Sequence, residues 1–366
     1  MQKQHASEAG NGSSTTQAPE DKAPKEAVAG SQPDPRAIMQ IGLGFMSSRV
    51  LQVAVGLELF TVLGDGSMTA EQLGDALELH PRGTYDFFDT LVALKLLDRD
   101  GDGAEGRYKN TPSTAVFLDK KSPQYIGSML EMVNAKLYND WSNLEAGLKT
   151  GQPQTRKGGS VYDELGSTSD SLARYLDAID SIQAGNFLQF AAKFDPQGYK
   201  TVTDAGCGSA LFAVIVGRQH PQLSFNAFDL PSVTPETQRR IDAASMTDRV
   251  TVHSGDFFVD DLPKADVVFM GQVLHNWNLE KKLVLIRKAY DALPAGGAFV
   301  VIENVLDDAR RENTVGLLVS LLMILEFGDG FDFTGEEFKG WCSKVGFRRF
   351  DTIPLGGPSS ALVAYK

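Results

Sequence analysis

The segment Thr201-Val202-Thr203-Asp204-Ala205-Gly206-Cys207-Gly208-Ser209-Ala210-Leu211 decides the fold. Its β-branched start reads as a strand, Gly206 and Gly208 as a turn, and the apolar run from Leu211 as the opening of a helix. Short β-branched runs then recur at Leu223 to Phe228, Val250 to His253, Val267 to Met270 and Phe299 to Ile302, separated by helical stretches. Strands alternating with helices predict a mostly parallel sheet. Two closing runs, Arg348 to Ile353 and Ala361 to Tyr365, are joined across Gly356-Gly357-Pro358 and predict an antiparallel C-terminal hairpin on one sheet edge. This α/β unit covers residues 196–366.

Upstream the texture differs. Residues 1–36 are Ala, Gly, Ser, Pro, Gln and mixed charge without an aromatic, a composition too poor in apolar area to offset its ordering entropy, and predict a disordered tail. A long first helix runs from Ile38 to Phe60. Thr69-Ala70-Glu71-Gln72 reads as a capping box opening a second helix, and a third spans Gly83 to Leu97. The turn-rich Asp98 to Gly106 and the extended Arg107 to Asn110 follow, in the order of a winged helix. Residues 37–120 are therefore assigned to an all-α winged-helix domain with a short wing. Residues 121–195 form a helical linker and pocket region, broken by a Gly, Gln, Pro and Lys-rich hinge from Gly151 to Gly159.

A chain of 366 residues with 42% apolar types has material for two packed units. Its 35 basic against 47 acidic residues give a charge of -12, which disfavours phosphate backbones and anionic membranes. Two cysteines, Cys207 and Cys342, make no disulfide framework and fit the reducing cytoplasm. No secretory signal is visible. The apolar stretch from Val315 to Leu325 stops at Glu326, short of the ~20 residues of a membrane span, so no bilayer crossing is expected.

Ligands of open parallel sheets bind at the strands' carboxyl ends. A dinucleotide would ask for G-x-G-x-x-G, but Leu211 stands three after Gly208, and the Asp204 carboxylate would repel a pyrophosphate. A cationic ligand reverses that sign, and S-adenosylmethionine (SAM) carries a sulfonium and an ammonium. Asp229, 23 residues after Gly206, sits where a carboxylate accepts ribose hydroxyls. Asp256-Phe257 offers an acceptor for an exocyclic amine beside an aromatic face.

With Phe228-Asp229-Leu230-Pro231, Gly255-Asp256-Phe257-Phe258 and above all Val273-Leu274-His275-Asn276-Trp277, the chain resembles the class I SAM-dependent small-molecule O-methyltransferases that carry an N-terminal winged-helix dimerisation domain. The resemblance runs from Ile38 to the C-terminus and implies a Rossmann-like catalytic domain. It implies cofactor contacts from Asp204, Gly206, Gly208, Asp229, Leu230, Asp256 and Phe257, and from Ser181 with its neighbour Asp180. His275 would be the proton acceptor, oriented by Glu303 and Asp332. A phenol with pKa near 10 is a weak nucleophile at neutral pH until a base takes its proton, and an imidazole backed by a carboxylate can do so. The sequence departs from the family at Ala210 for a glycine, Gly271 for a lysine, Asn276 for an acid and Asp332 for a glutamate.

Met129, Tyr138, Trp141, Met323 and Phe327, together with Met132, Phe331 and Phe333, are candidates to line the acceptor pocket, with ordinary core as the competing reading. No metal is expected: Asp98-x-Asp100-x-Asp102-Gly103 starts like a calcium loop but ends on Lys109, and the five histidines lack zinc spacing. The expected function is methylation of a small aromatic or enolic hydroxyl by a homodimer, with C- or N-methylation on the same scaffold as the alternative. A DNA-binding winged helix is a further alternative. Against it, the would-be recognition helix, Arg82 to Val92, is apolar and acidic where phosphate contact needs cations.

Overall fold

A computed structural model describes residues 33–154, 169–196 and 198–366. Most of the expected tail, and the expected hinge from residue 155 onward, lie outside them. The chain divides at Phe45 into two compact units. In the first, the start of helix α1 (Arg36–Gly56) exposes Ile38, Met39, Ile41, Leu43 and Phe45.

The second unit opens with the rest of α1 and with α2 (Leu59–Leu63). The single helix expected up to Phe60 is thus two, because Glu58 takes a left-handed φ of 56° that no helix continues through. Strand β1 (Met68–Thr69) leads into α3 (Ala70–Ala76), capped as expected: Gln72 N donates to Thr69 Oγ1 at 3.3 Å and Thr69 N to Gln72 Oε1 at 3.1 Å. α4 (Pro81–Ala93) starts two residues early, since proline suits a first turn, and stops short of Leu97, where Lys95 has a φ of 63°. Leu97 opens β2 (Leu97–Asp100), which pairs with β3 (Arg107–Asn110) before α5 (Pro112–Phe117). The domain is not all-α, because the sheet β1-β3-β2 forms its wing. Asp100 pairs there with Lys109 at 2.7 Å. Phe60, Phe88, Leu91 and Tyr108 fill the core.

Next come α6 (Gly127–Met132), α7 (Tyr138–Asp140) and α8 (Leu144–Thr150), with a π turn at Val133–Leu137, and then the long α9 (Ser169–Lys193). The α/β domain follows: β4 (Thr201–Ala205), α10 (Leu211–Gln219), β5 (Ser224–Asp229), α11 (Thr234–Ala243), β6 (Val250–Ser254), β7 (Val267–Gly271), α12 (Leu279–Ala292), β8 (Ala298–Glu303), α13 (Thr314–Glu326), α14 (Gly335–Val345), β9 (Arg349–Pro354) and β10 (Ser360–Tyr365). Among the described residues these strands form one sheet in the order β6-β5-β4-β7-β8-β10-β9. Every pair from β6 to β8 is parallel, and β10 runs antiparallel to both β8 and β9, as the C-terminal hairpin predicts. The order reverses between β4 and β7, which opens a crevice at their carboxyl ends. Phe190, Phe212, Phe225 and Phe269 fill one face of the sheet, and Leu285, Phe299, Phe338 and Trp341 the other.

The apolar length of one helix went unread in the sequence. α1, with 21 residues and mean hydropathy 1.3, is long and apolar enough to cross a bilayer by length and composition, whereas α13 is not. Its Ile, Leu, Met, Phe and Val are interleaved with Gly, Ser and Gln, so no uninterrupted apolar run betrays it.

Candidate active site

The turn after β4 is held by backbone geometry that its sequence allows. Gly206 has a φ of 81° and Gly208 a φ of 53°, and both Gly206 N and Cys207 N donate to Phe228 O, at 2.8 and 3.2 Å. A Cβ on Gly206 would lie 2.8 Å from Val273 Cγ2. Gly206→Ala therefore combines a left-handed backbone with a clash, at a cost of about 1–3 kcal/mol. Thermal unfolding should drop by roughly 1–4 °C, and an unchanged melting curve would contradict this turn. Ala210, where the family's last glycine often stands, keeps the left-handed backbone at φ 61° as the N-cap of α10.

Asp204 is buried, and its Oδ2 has no hydrogen-bond partner. Burial, helped by nearby Asp229, pushes its pKa well above the carboxylate range. Asp229 accepts from Gly208 N through Oδ2 at 2.8 Å and from Leu230 N through Oδ1 at 2.7 Å, so it ties the glycine turn to the end of β5. Burial raises its pKa while those two N–H groups oppose the rise. Asp256 Oδ1 accepts from Phe258 N at 2.8 Å, and the Phe257 ring lies 3.7 Å from where a Gly206 Cβ would be. These residues come together along the rim. Ser181 donates to Ala178 O of its own helix at 2.7 Å, and the residue that reaches the turn from α9 is Asp180, which accepts from Ser209 Oγ at 2.6 Å and faces Arg240. Burial lifts Asp180 to about 6, against Ser209 and Arg240.

His275 sits on a buried 3-10 turn, Leu274–Asn276, just beyond β7. Its Nδ1 faces Asp332 Oδ1 at 3.4 Å and Glu303 Oε2 at 3.8 Å, and all three side chains are closed to solvent. Glu303 ends β8 and also accepts Leu274 N through Oε1 at 2.9 Å, which fixes the turn to the strand. Burial alone would lower the imidazole pKa, but the charges of Glu303 and Asp332 outweigh it and the net direction is upward. Burial raises Glu303, with His275 opposing. Asp332, though shorter than the family's glutamate, reaches the ring. Asn276 donates to Gln272 O at 3.2 Å and braces the same turn. At Gly271 a side chain would meet the Phe269 ring at 2.9 Å, so that aromatic fills the space of the absent lysine.

Of the pocket candidates, the Phe327 ring lies 6.4 Å from that of Trp277, beside the His275 turn. Met323 is buried on α13, which packs against both that turn and the segment of Trp141. Tyr138 lies under the Arg49 guanidinium, 5.0 Å from its ring centre, and Met129 is half-buried on α6, which packs on α9. Sequence reading missed two features here: the ion pairs of Lys136 with Glu326 and with Asp140, the latter at 3.1 Å, and the buried Lys282.

An O-methyltransferase domain model matches residues 141–348, and an O-methyltransferase dimerisation domain model matches residues 39–120. The chain belongs to the SAM-dependent O-methyltransferase family. This methyltransferase is 35% identical to the tetracenomycin polyketide synthesis 8-O-methyl transferase TcmO of Streptomyces glaucescens, over 91% of its own chain and 97% of the relative. It is 32% identical to the N,N-dimethyltransferase OxyT of Streptomyces rimosus, over 86% and 90%. Human N-acetylserotonin methyltransferase in complex with SAM superposes with a TM-score of 0.85 at 26% identity, covering 93% of this chain and 99% of that one.

Proposed function

We propose that this enzyme methylates a phenolic or enolic hydroxyl of a small aromatic metabolite, with His275 as general base. The observation that supports this most is the buried imidazole whose Nδ1 faces two carboxylates at the mouth of the sheet. Glu303 and Asp332 hold Nδ1 protonated, leaving Nε2, on the opposite edge of the ring, to accept the hydroxyl proton. The acids then stabilise the imidazolium.

SAM, when bound, supplies a methyl group on a sulfonium that is itself the leaving group. The rim fits it on two counts: the unpartnered, buried Asp204 Oδ2 suits a cation, and the bare Gly206 leaves a cradle that a Cβ would fill. Asp204, Gly206 and Gly208 would face the amino-acid end, Asp229 and Leu230 the ribose, and Asp256 and Phe257 the adenine. Ser181, its hydroxyl already given to Ala178, is the weakest member of that set, and its neighbour Asp180 reaches the glycine turn through Ser209. Residues 121–195 and α13 would wall the acceptor pocket, with Met129, Tyr138, Trp141, Met323 and Phe327 contributing. His275, Glu303 and Asp332 also lie close enough to hold a metal ion, their ligand atoms within 4.8 Å of one another. We favour the base reading because the buried ammonium of Lys282 raises the cluster's Coulombic cost for a further cation.

The relatives' names support a hydroxyl on an aromatic or polyketide ring, while OxyT supports an amine as the second reading. Incubation with methyl-labelled SAM and a panel of phenols, enols and aromatic amines decides between them, since label entering only amines would reject the hydroxyl.

We also propose a homodimer, in which the exposed Ile38, Met39, Ile41, Leu43 and Phe45 are covered by a second copy rather than by lipid, in line with the dimerisation domain match. Light scattering should give twice the chain mass at working concentration, and a monomer would overturn this. Nucleic acid is not expected to bind, because Arg82 is paired with Asp86 at 3.0 Å and Asp89 with Arg99 at 2.6 Å, leaving α4 no cationic face. The two cysteines, both free and buried, support a cytoplasmic location.

A further inference from the structure

Lys282 is fully buried, which a lysine tolerates only when its ammonium is satisfied. Its Nζ donates to Trp277 O and, at 2.9 Å, to Phe331 O, and lies 3.3 Å from the centre of the Phe331 ring. Trp277 follows His275 by two residues, and Phe331 immediately precedes Asp332. One ammonium thus joins the turn that carries the imidazole to the loop that carries one of its acids. A second tie runs alongside, from Asn278 Nδ2 to Asp329 Oδ2 at 2.7 Å.

We propose that Lys282 is a positioning residue for the proton-accepting site: it pins the His275 turn to the Asp332 loop and supplies the counter-charge for the buried Glu303 and Asp332 pair. The role rests on His275 being the base. Two buried carboxylates facing one imidazole would keep it protonated, and an imidazolium cannot accept a proton. A cation at the same cluster opposes that pull without cancelling it: Lys282 lowers the His275 pKa, although the net direction stays upward. The charged groups acting on Lys282 are Glu303 on β8, Asp332 and Asp329 on the loop before α14, Glu337 on α14, and His275 itself. Burial pulls the ammonium down to about 8 while the four acids hold it up.

The test needs no acceptor. The full chain has five histidines, so ring-labelled histidine gives few signals, and His275→Gln identifies the one of interest. That signal is titrated by NMR from about pH 5 to 10 in the wild type, Lys282→Met and Lys282→Arg. Lys282→Met should move the His275 midpoint upward by about one unit or more, because a nearby positive charge is lost. Lys282→Arg, which keeps the charge, should stay within about half a unit of wild type. A folded Lys282→Met protein with an unmoved midpoint would leave only a packing role and overturn the proposal. Should that variant not fold, the wild-type signal decides: the proposal requires a second inflection in the His275 shifts near the Lys282 midpoint, and a single smooth step would overturn it. Turnover of His275→Gln on a phenol that the wild type methylates separately tests whether the histidine is the base, so failure there is not confused with failure here.

Discussion

Replacing His275 with alanine is expected to lower turnover ~10²- to 10⁴-fold while the dissociation constant for SAM changes by less than about twofold. The ring contributes at the acceptor's oxygen, whereas the residues proposed to hold SAM are on the other strand ends. A phenol with a pKa near 10 is ionised in only about one molecule in a thousand at pH 7, and the imidazole makes good that deficit by removing the proton as the new bond forms. The pH dependence carries a sign. Because Glu303 and Asp332 raise the imidazole pKa, turnover should climb with pH through a midpoint above the ordinary imidazole value of 6.5. In Glu303→Gln one raising charge is gone, and that midpoint should fall. Full activity in His275→Ala on a phenol of ordinary pKa would remove the histidine from the mechanism.

The second large effect is expected at Asp229, on binding rather than chemistry. Asp229→Ala should weaken SAM affinity by ~10²-fold or more, read by titration calorimetry, with turnover at saturating SAM far less affected. The carboxylate already accepts Gly208 N and Leu230 N, and each oxygen keeps a lone pair for a ribose hydroxyl. Alanine strands both backbone donors, at about 1–3 kcal/mol for each one left buried and unpaired, and deletes the ribose acceptors as well. Circular dichroism separates this from unfolding. Affinity equal to wild type in a folded Asp229→Ala protein would mean that the nucleoside lies elsewhere.

How much of this was legible in the sequence depends on the range of the interaction that makes each feature. The strands from Thr201 to Tyr365 are set by side-chain chemistry within five or six residues, and each appears within a residue or so of its expected place. The capping box at Thr69 is similarly local. By contrast, the break at Glu58 depends on a single left-handed residue that no pattern announces. In the wing, β3 appears at Arg107–Asn110 as expected, but β2 depends on pairing with it across a turn, and all of it beyond Leu97 lies in the segment read as a turn-rich loop.

The site divides along the same line. Asp204, Asp229, Asp256 and His275 could each be read because all lie at or just beyond the carboxyl end of a strand, and a parallel sheet puts every such end on one rim. That Asp332, 57 positions further along the chain than His275, lies at the imidazole is a product of α13 and its flanking loops and entered only through family resemblance. Lys282 went unnoticed although a signal was present. It shares the buried stripe of α12 with Leu285, Ile286, Ala289 and Ala292, so the helical period placed this lysine inward. Asp180 had been coupled to Ser181 on resemblance alone, and only the fold shows its hydroxyl partner, Ser209, arriving from the glycine turn.

A crystal structure of the chain with S-adenosylhomocysteine, the demethylated product, is the most direct measurement. The account predicts the ribose diol on Asp229, the adenine between Asp256 and Phe257, and the sulfur directed toward the space before His275 Nε2. A nucleoside bound away from Asp229, or a sulfur turned away from His275, would contradict it.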